Sequence, residues 1–165
     1  MPIPEFVAAL RARVGHDLLW LPGVSGVVRA PDGRVLLGRR ADSGEWAVPS
    51  GILEPGEEPA VGLAREIQEE TGVAVVVDRL AAVTTTEPVH YPNGDVTQYV
   101  DLCFACRPVD DAAVASARVA DDESTAVGWF PPDGLPSPLA PSTGERLAHV
   151  RAALADPAAG AHFRR

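Results

Sequence analysis

The sequence contains no lysine, because all 14 of its basic residues are arginine. This absence excludes enzymes that form a Schiff base through a lysine amine, and it excludes the phosphate-binding loop that depends on a lysine. The basic residues are outnumbered by 23 acidic ones, and the formal net charge is −9. Nonspecific binding to nucleic acid needs a surplus of positive charge, so no nucleic-acid polymer is expected as a partner. An acidic protein that acts on an anionic substrate needs a cation between them, and a divalent metal ion is the natural candidate.

The sequence also lacks long apolar runs. No segment approaches the roughly 18 apolar residues that cross a bilayer, and the first residues have no basic region followed by an apolar core, as a secretory signal would. We therefore expect a cytoplasmic protein with no membrane partner. The only cysteines, Cys103 and Cys106, form a single C-x-x-C. Their odd separation on a strand points the side chains to opposite faces, which favours two buried cysteines over zinc or redox chemistry.

The length and the apolar pattern predict how the chain is organised. A chain of 165 residues suits one domain, residues 1–165, with its own hydrophobic core. Apolar residues at helical spacing predict an N-terminal helix at about 3–14 and a C-terminal helix at about 144–155. Between them, β-branched segments predict strands, and 24–29 and 34–39 are predicted to form a hairpin. Strands mixed with helices indicate an α/β fold in which helices flank a mixed sheet.

A further helix is predicted from Pro59 to Thr71, because proline suits the first helical position and the glycine after Thr71 suits the end. Glu66, Glu69 and Glu70 then stand at i, i+3 and i+4 on one exposed face. Carboxylates in that arrangement repel one another, and Mg²⁺ would remove the repulsion because it takes oxygen ligands. The helix alone leaves two alternatives open, which are a solvated acidic face and a metal site.

The loop before this helix favours the metal site over the solvated acidic face. From Gly51 to Val73 the sequence is G-ILEPG-E-EPAVGLA-REIQEETGV, which resembles the Nudix box, G-x5-E-x7-R-E-U-x-E-E-x-G-U, with U a bulky aliphatic residue. All specified positions match, and they are Gly51, Glu57, Arg65, Glu66, Ile67, Glu69, Glu70, Gly72 and Val73. At average residue frequencies, a chance match in such a chain has a probability on the order of 10⁻⁸. The chain is therefore identified as a member of the Nudix hydrolase family, whose MutT-like and ADP-ribose pyrophosphatase-like members it resembles.

The resemblance implies a fold and a metal site. The fold is a Nudix-type α/β/α sandwich with a mixed β-sheet and a loop-helix-loop catalytic motif at residues 51–73. In such a motif Glu66, Glu69 and Glu70 are metal ligands, helped by the backbone carbonyl of Gly51. The implied ion is Mg²⁺, with Mn²⁺ as an alternative, and the implied reaction is hydrolysis of a diphosphate linkage.

The resemblance also gives roles to three other acidic or basic side chains. Arg65 resembles the family arginine that orients the glutamates by ion pairing. Glu57 resembles the glutamate that holds the loop or supports a metal ion. A carboxylate must take the proton from the attacking water, and the family offers two positions for this base. One is Glu66, which we favour slightly, and the other is an acid in a distant loop, for which Glu123 is the candidate.

Substrate recognition is less defined by the sequence. Arg39 and Arg40 close a strand near the expected site, and alternation along a strand allows only one of them to face it. A guanidinium there would pair with phosphate, or it would form a surface salt bridge. Pro88 resembles the proline of ADP-ribose pyrophosphatases in the family, whereas Tyr91 resembles the tyrosine of dinucleoside polyphosphate hydrolases. The two features point to different substrates, so we expect a nucleoside diphosphate derivative, with ADP-ribose or a (deoxy)nucleoside triphosphate favoured.

Two other functions are compatible with a Nudix fold. A non-catalytic nucleotide sensor would share the fold, but sensors often lose box glutamates and this chain keeps all of them. An isoprenoid-type diphosphate isomerase would need a catalytic cysteine, whereas both cysteines are expected in a buried strand. A small nucleotide is therefore the expected partner. A homodimer is also considered, because the amphipathic N-terminal helix could cap the core or form a dimer interface.

Overall fold

The computed structural model describes residues 4–165, and in this part of the chain there are four helices and eight strands. In chain order they are α1 (Glu5–Val14), β1 (Leu19–Val28), β2 (Val35–Arg40), β3 (Trp46–Ala47), β4 (Ser50–Ile52), α2 (Pro59–Thr71), β5 (Val75–Thr85), β6 (Val89–His90), β7 (Val96–Pro108), α3 (Asp111–Ala115), β8 (Ser124–Phe130) and α4 (Pro141–Ala155). No helix within these residues is long and apolar enough to cross a membrane.

The strands form two sheets. The larger is mixed, with the order β4-β1-β7-β5, and β6 also pairs with β7. Its centre is the parallel pair β1–β7, in register from Leu19 opposite Thr97 to Val28 opposite Cys106. The other pairs in this sheet are antiparallel. The smaller sheet is antiparallel, in the order β3-β2-β8.

Helices cover opposite faces of the larger sheet, so the core has two parts. Leu63 and Ile67 of α2 are fully buried in one cluster with Val24 and Val28 of β1. Val150 of α4 lies in the other cluster, together with other buried side chains of the same strands. The predicted α/β fold with helices on a mixed sheet is confirmed, and the second sheet is an addition to it.

The two cysteines follow the alternation of β7. Cys103 belongs to the cluster under α4, and Cys106 belongs to the cluster under α2. Both are buried free thiols. Burial raises the pKa of Cys103 to about 11 and that of Cys106 to about 12. The prediction of two buried cysteines on opposite faces is confirmed.

The hairpin predicted from 24–29 and 34–39 is wrong. The turn between them forms, since the Gly33 amide donates to the Ala30 carbonyl at 2.9 Å. Beyond it, however, the strands meet only at the bridge between Arg29 and Val35. The reason is that β1 is buried on both faces from Gly23 to Val28, as a central strand flanked by β4 and β7, and β2 enters the other sheet.

Two helix boundaries also differ from the prediction. The N-terminal helix begins at Glu5, and the predicted residue 3 lies outside the described residues. The C-terminal helix begins at Pro141 rather than 144, because proline occupies a first-turn position there. The short helix α3 is an addition to the predicted helices, and the Asp110 side chain caps it by accepting from the Ala113 amide at 2.8 Å.

The helix α2 has the bounds that the sequence predicts, Pro59–Thr71. Proline starts it, and Gly72 ends it in the left-handed region at φ 71°, a conformation that glycine adopts without strain. The Gly72 amide donates to the Gln68 carbonyl at 2.9 Å. These two ends set which residues of α2 point toward the sheet and therefore where its glutamates lie.

Candidate active site

The site begins where β4 passes beneath α2. β4 pairs with β1, with Gly51 opposite Val24, and this pairing brings the Gly51 backbone against the side chain of Glu66. A Cβ atom at residue 51 would lie 2.5 Å from Glu66 Oε1, which is closer than real contacts allow. Only glycine lets the backbone approach the carboxyl group in this way.

Glu66 is the most deeply placed acid of the site, with 1% of its surface exposed. Its Oε1 lies 3.2 Å from Arg65 Nη2, whereas its Oε2 has no hydrogen-bond partner among the described residues. Burial raises the pKa of Glu66 to about 7, although the neighbouring Arg65 opposes the shift. The expected exposed acidic face is therefore wrong for Glu66, because this carboxyl group turns inward under Gly51.

Glu70 lies one helical turn further along α2 and is half-buried. Burial raises its pKa to about 8, and the charges of Glu66 and Asp121 add to the shift. Arg40 and a hydrogen bond from the Ser50 backbone amide oppose it. Two acids of raised pKa thus stand side by side, which is typical of a site that binds a cation.

Arg65 holds the outer part of the motif together. Its Nε donates to Glu57 Oε1 at 2.9 Å and its Nη2 to Glu57 Oε2 at 3.1 Å, in a bidentate pair. Its Nη1 donates to Glu69 Oε2 at 3.0 Å. Glu57 also accepts from the Glu54 amide at 3.1 Å, which closes the loop before α2. The hydrogen bonds from Arg65 lower the pKa of Glu57.

These residues fit a hard divalent cation. The available donors, which are the Glu66 and Glu70 carboxylates and the Gly51 carbonyl, are all oxygens, as Mg²⁺ prefers. The unpartnered Glu66 Oε2 is an orphaned acceptor that a cation would satisfy. Among residues 4–165, however, no three acidic, histidine or cysteine side chains already converge on one point, and Glu69 is paired with Arg65. Mg²⁺ usually needs only one or two carboxylates besides water and substrate phosphate.

The loop between α3 and β8 contacts the C-terminal end of α2. The Arg118 amide donates to the Thr71 carbonyl at 3.0 Å, and the Ala120 amide donates to the Glu70 carbonyl at 3.2 Å. Asp121 then lies near enough to Glu70 to raise its pKa. The sequence did not single out Asp121, although the acidic run that contains it was visible.

Glu123 follows two residues later and is half-buried. Its backbone amide donates to Asp121 Oδ1 at 3.1 Å, and its carbonyl accepts from the Ala41 amide at 2.7 Å. The structure thus places the loop of Glu123 beside the strand end that carries Arg40. In this loop, Asp121 is an acid whose charge acts on Glu70.

Arg39 and Arg40 separate as alternation predicts. The Arg39 Nε donates to the Gly44 carbonyl at 3.0 Å, so this side chain folds back on its own loop. Arg40 forms a bidentate pair with Asp42, at 2.9 Å for Nε and Oδ1 and 2.5 Å for Nη2 and Oδ2. It also interacts electrostatically with Glu70 and Tyr91. The structure therefore brings Arg40 to the site and leaves Arg39 outside it.

Tyr91 lies in the turn after β6 and is 38% exposed. Its hydroxyl is 2.9 Å from the hydroxyl of Tyr99 on β7. Burial raises the pKa of Tyr99. Tyr91 and Glu70 both interact electrostatically with Arg40.

Comparison with known proteins gives consistent matches. A family model described as the NUDIX domain matches residues 19–150. A MutT-like protein of Streptomyces ambofaciens is 42% identical over 129 residues, which cover 78% of this chain and 70% of that protein. The human 8-oxo-dGDP phosphatase NUDT18 is 32% identical over 101 residues, but these cover 61% of this chain and only 28% of the human protein. The crystal structure of a MutT NUDIX hydrolase from Burkholderia pseudomallei aligns with a TM-score of 0.64 at 28% identity, over 80% of this chain and 98% of that one.

Proposed function

The chain belongs to the NUDIX family, whose hydrolases act on phosphoric anhydride bonds, and we propose that it cleaves the diphosphate linkage of a nucleoside diphosphate derivative with the help of Mg²⁺. The observation that carries the proposal is the buried carboxyl group of Glu66, which lies against Gly51 with one oxygen unpartnered. Burial of an acid beside a second acid is unfavourable unless a cation or a proton neutralises it.

We assign the metal ligands to Glu66, Glu70 and the carbonyl of Gly51. Glu69 would join them by leaving Arg65, since it is exposed and held by that one ion pair. Mg²⁺, or Mn²⁺ in its place, would supply positive charge for the phosphate oxygens and would activate water for the attack. Glu57 acts at a distance, because it fixes the loop and the guanidinium of Arg65 that orients the glutamates.

The proton of the attacking water needs an acceptor close to neutral pKa. Glu66 is the proposed base, because it is the most deeply buried acid of the site and lies against Gly51. Glu123 in the loop over α2 is the alternative. Glu123→Gln would lower kcat by on the order of 10²-fold if the base lies in the loop, and a kcat within about twofold of the wild type would leave the role to Glu66.

The substrate class follows from what borders the metal site. Arg40 presents a guanidinium beside Glu70, which suits a phosphate group, and Tyr91 offers an exposed ring on which a base could stack. ADP-ribose and (deoxy)nucleoside triphosphates both carry these two groups. The similarity to a phosphatase of 8-oxo-dGDP adds oxidised purine nucleotides to the candidates, although this chain aligns with less than a third of that protein.

A hydrolysis screen tests the proposal. The protein is incubated with Mg²⁺, and separately with Mn²⁺, against ADP-ribose, nucleoside triphosphates and 8-oxo-dGDP, and the products are identified. We expect release of a nucleoside monophosphate together with phosphate, pyrophosphate or a sugar phosphate. No turnover of any compound with either ion would contradict the proposal, and tight nucleotide binding without turnover would favour the non-catalytic sensor.

A single substitution connects the activity to the site. Glu70→Gln removes a proposed ligand charge while keeping the size of the side chain, so kcat should fall on the order of 10³-fold with an unchanged far-ultraviolet spectrum. Glu145→Gln is the matched control, because Glu145 is exposed on α4. Similar activities of the two variants would refute the metal role of Glu70.

Three further predictions concern the protein as a whole. We propose that it acts in the cytoplasm, on a small nucleotide, and assembles as a homodimer. Light scattering on a sizing column measures the assembly directly. A monomer at concentrations up to tens of micromolar would contradict the dimer without affecting the proposed reaction.

A further inference from the structure

The helix α1 lies before the residues that the family model matches, 19–150, and the Arg11 side chain attaches it to them. Arg11 donates from Nη2 to the Val96 carbonyl at 2.7 Å and to Thr97 Oγ1 at 3.0 Å. From Nη1 it donates to the carbonyls of Gly15 at 3.1 Å and Asp17 at 2.6 Å. A single guanidinium thus connects the end of α1 to the first residues of β7.

The segment that Arg11 contacts is the base of the turn that carries Tyr91. β6 is two residues long, both of them exposed, and it pairs with β7 at only two positions. Gly94 turns the chain at φ 91°, and the Tyr91 amide donates to the Asp95 carbonyl at 2.9 Å. So short a ladder is only marginally stable by itself, and its position therefore depends on what holds it from outside.

Asp95 supplies a second attachment between α1 and this turn. Its Oδ1 lies 2.8 Å from His16 Nδ1 and 3.5 Å from Arg11 Nε. Both Arg11 and Asp95 have most of their side chains covered, with 11% and 14% exposed. Arg11 is also fixed by its hydrogen bonds to backbone carbonyls. The pair of Arg11 and Asp95 is therefore better ordered than an exposed surface ion pair.

The turn matters for the site because of Tyr91. Tyr91 interacts electrostatically with Arg40, the arginine that also interacts with Glu70. Its hydroxyl meets that of Tyr99, which lies on the same strand as Thr97. Movement of the turn would shift Tyr91 relative to Arg40 without disturbing the glutamates of α2.

We propose that Arg11 is a positioning residue for the substrate, which holds the 91–95 turn and so fixes the position of Tyr91. This role rests on the proposed function, in which Tyr91 and Arg40 contact the nucleotide. Arg11 itself does not reach the reacting atoms. Through Arg11, the helix α1 contributes to substrate binding without contacting the substrate.

Kinetics of Arg11→Ala test the role. Loss of positioning weakens binding of ground state and transition state alike, so KM should rise about tenfold while kcat stays within about twofold. Arg11→Lys keeps the charge but cannot donate to all four acceptors, so it should recover part of the KM. Arg13→Ala is the matched control, because Arg13 lies exposed on the same helix and its side chain makes no hydrogen bond within the described residues. Equal KM values for Arg11→Ala and Arg13→Ala would overturn the proposal.

A double variant shows whether Arg11 acts through Tyr91. In the background of Tyr91→Ala, adding Arg11→Ala should change KM by less than about twofold, since residues that act as a unit are not additive. Full additivity of the two effects on KM would overturn the proposal. A fall in kcat and melting temperature with no rise in KM would also overturn it, because that pattern indicates a purely structural role.

Hydrogen exchange provides a readout that does not depend on catalysis. The amides of 89–97 should exchange faster in Arg11→Ala than in the wild type, while those of α2 keep their rates. Unchanged exchange in 89–97 would overturn the proposal even if KM rises. Absence of turnover by the wild type would instead overturn the proposed function, which keeps the two failures distinguishable.

Discussion

The lack of a side chain at Gly51 allows the backbone of β4 to lie against the Glu66 carboxyl group. Replacement by alanine would place a Cβ against the Glu66 carboxyl group, with Oε1 at 2.5 Å. Because Glu66 is fully buried, it cannot swing away into solvent, and either β4 or α2 must move. We expect Gly51→Ala to lower kcat on the order of 10²-fold and to destabilise the fold by about 1–3 kcal/mol.

Gly144 offers a matched control for this substitution. A Cβ at Gly144 meets nothing within 4 Å, and the residue lies inside α4. Gly144→Ala should therefore stabilise the protein by about 0.5–1 kcal/mol and leave turnover unchanged. Thermal melts and initial rates of the two variants check the prediction, which fails if both alanines behave alike.

The two neighbouring arginines make a second test at the residue scale. Arg40 interacts with Glu70 and Tyr91, whereas Arg39 bonds to the Gly44 carbonyl. Arg40→Ala should raise KM for a nucleotide on the order of tenfold or more, as expected for loss of a charged contact to phosphate. Arg39→Ala should leave KM within about twofold. A larger effect of Arg39→Ala in steady-state assays would show that the wrong arginine had been assigned to the substrate.

At the scale of one element, α2 makes the stability of the protein depend on pH. Glu66 and Glu70 have folded pKa values of about 7 and about 8 against an ordinary value of 4.5. The folded state therefore binds more protons than the unfolded chain between these values. The free energy of unfolding of the metal-free protein should fall as pH rises from about 5 to about 8. The fall for each of the two groups is at most about 1.4 kcal/mol per pH unit.

Mg²⁺ should reverse this loss, because it replaces the protons as the neutralising charge. Melting temperatures of the protein in chelator, and then with added Mg²⁺, should differ more at pH 8 than at pH 5.5. In Glu70→Gln the metal-free melting temperature should depend less on pH. A metal-free melting temperature that stays level or rises between these pH values would contradict the assignment of the two raised pKa values.

The same helix shows what could be predicted from the sequence. Its bounds follow from Pro59 and Gly72, which act locally and need no knowledge of the rest of the chain. The position of Glu66 could not be derived from helical spacing, because the spacing places it on a face and only the register of β4 against β1 decides that Gly51 covers that face. The resemblance implied a role for the Gly51 carbonyl, but it did not indicate that the Glu66 carboxyl group would be buried against Gly51.

Elements whose position depends on distant partners were predicted least well. The segments 24–29 and 34–39 have the local signals of a hairpin, yet β1 pairs along its length with β7, far away in sequence. The contribution of Asp121 was missed for a related reason, since hydrogen bonds from Arg118 and Ala120 to the end of α2 bring it to the site. Alternation along the strand predicted that only one of Arg39 and Arg40 faces the site. The fold was needed to identify that residue as Arg40.

At the scale of the whole molecule, the reactivity of the two cysteines tests whether the core excludes solvent. Both are buried, on opposite faces of the larger sheet, with raised pKa values. A thiol-alkylating reagent at pH 8 should leave the native protein unmodified and fully active, and in denaturant both thiols should react rapidly. Mass spectrometry counts the modified thiols. Rapid native modification with loss of activity would instead support a catalytic cysteine, as in a diphosphate isomerase.

The parallel pairing of β1 with β7 has a consequence for the order in which the protein forms. Every pair in this ladder joins residues that are nearly half the chain apart, so closing it requires a large loss of chain entropy before any contact is gained. The whole motif from Gly51 to Val73 lies inside that loop. During synthesis, β1, α2 and the glutamates of α2 emerge first, but the central strand β7 against which this part of the sheet is completed emerges later. We therefore expect the site to be assembled late and in one step.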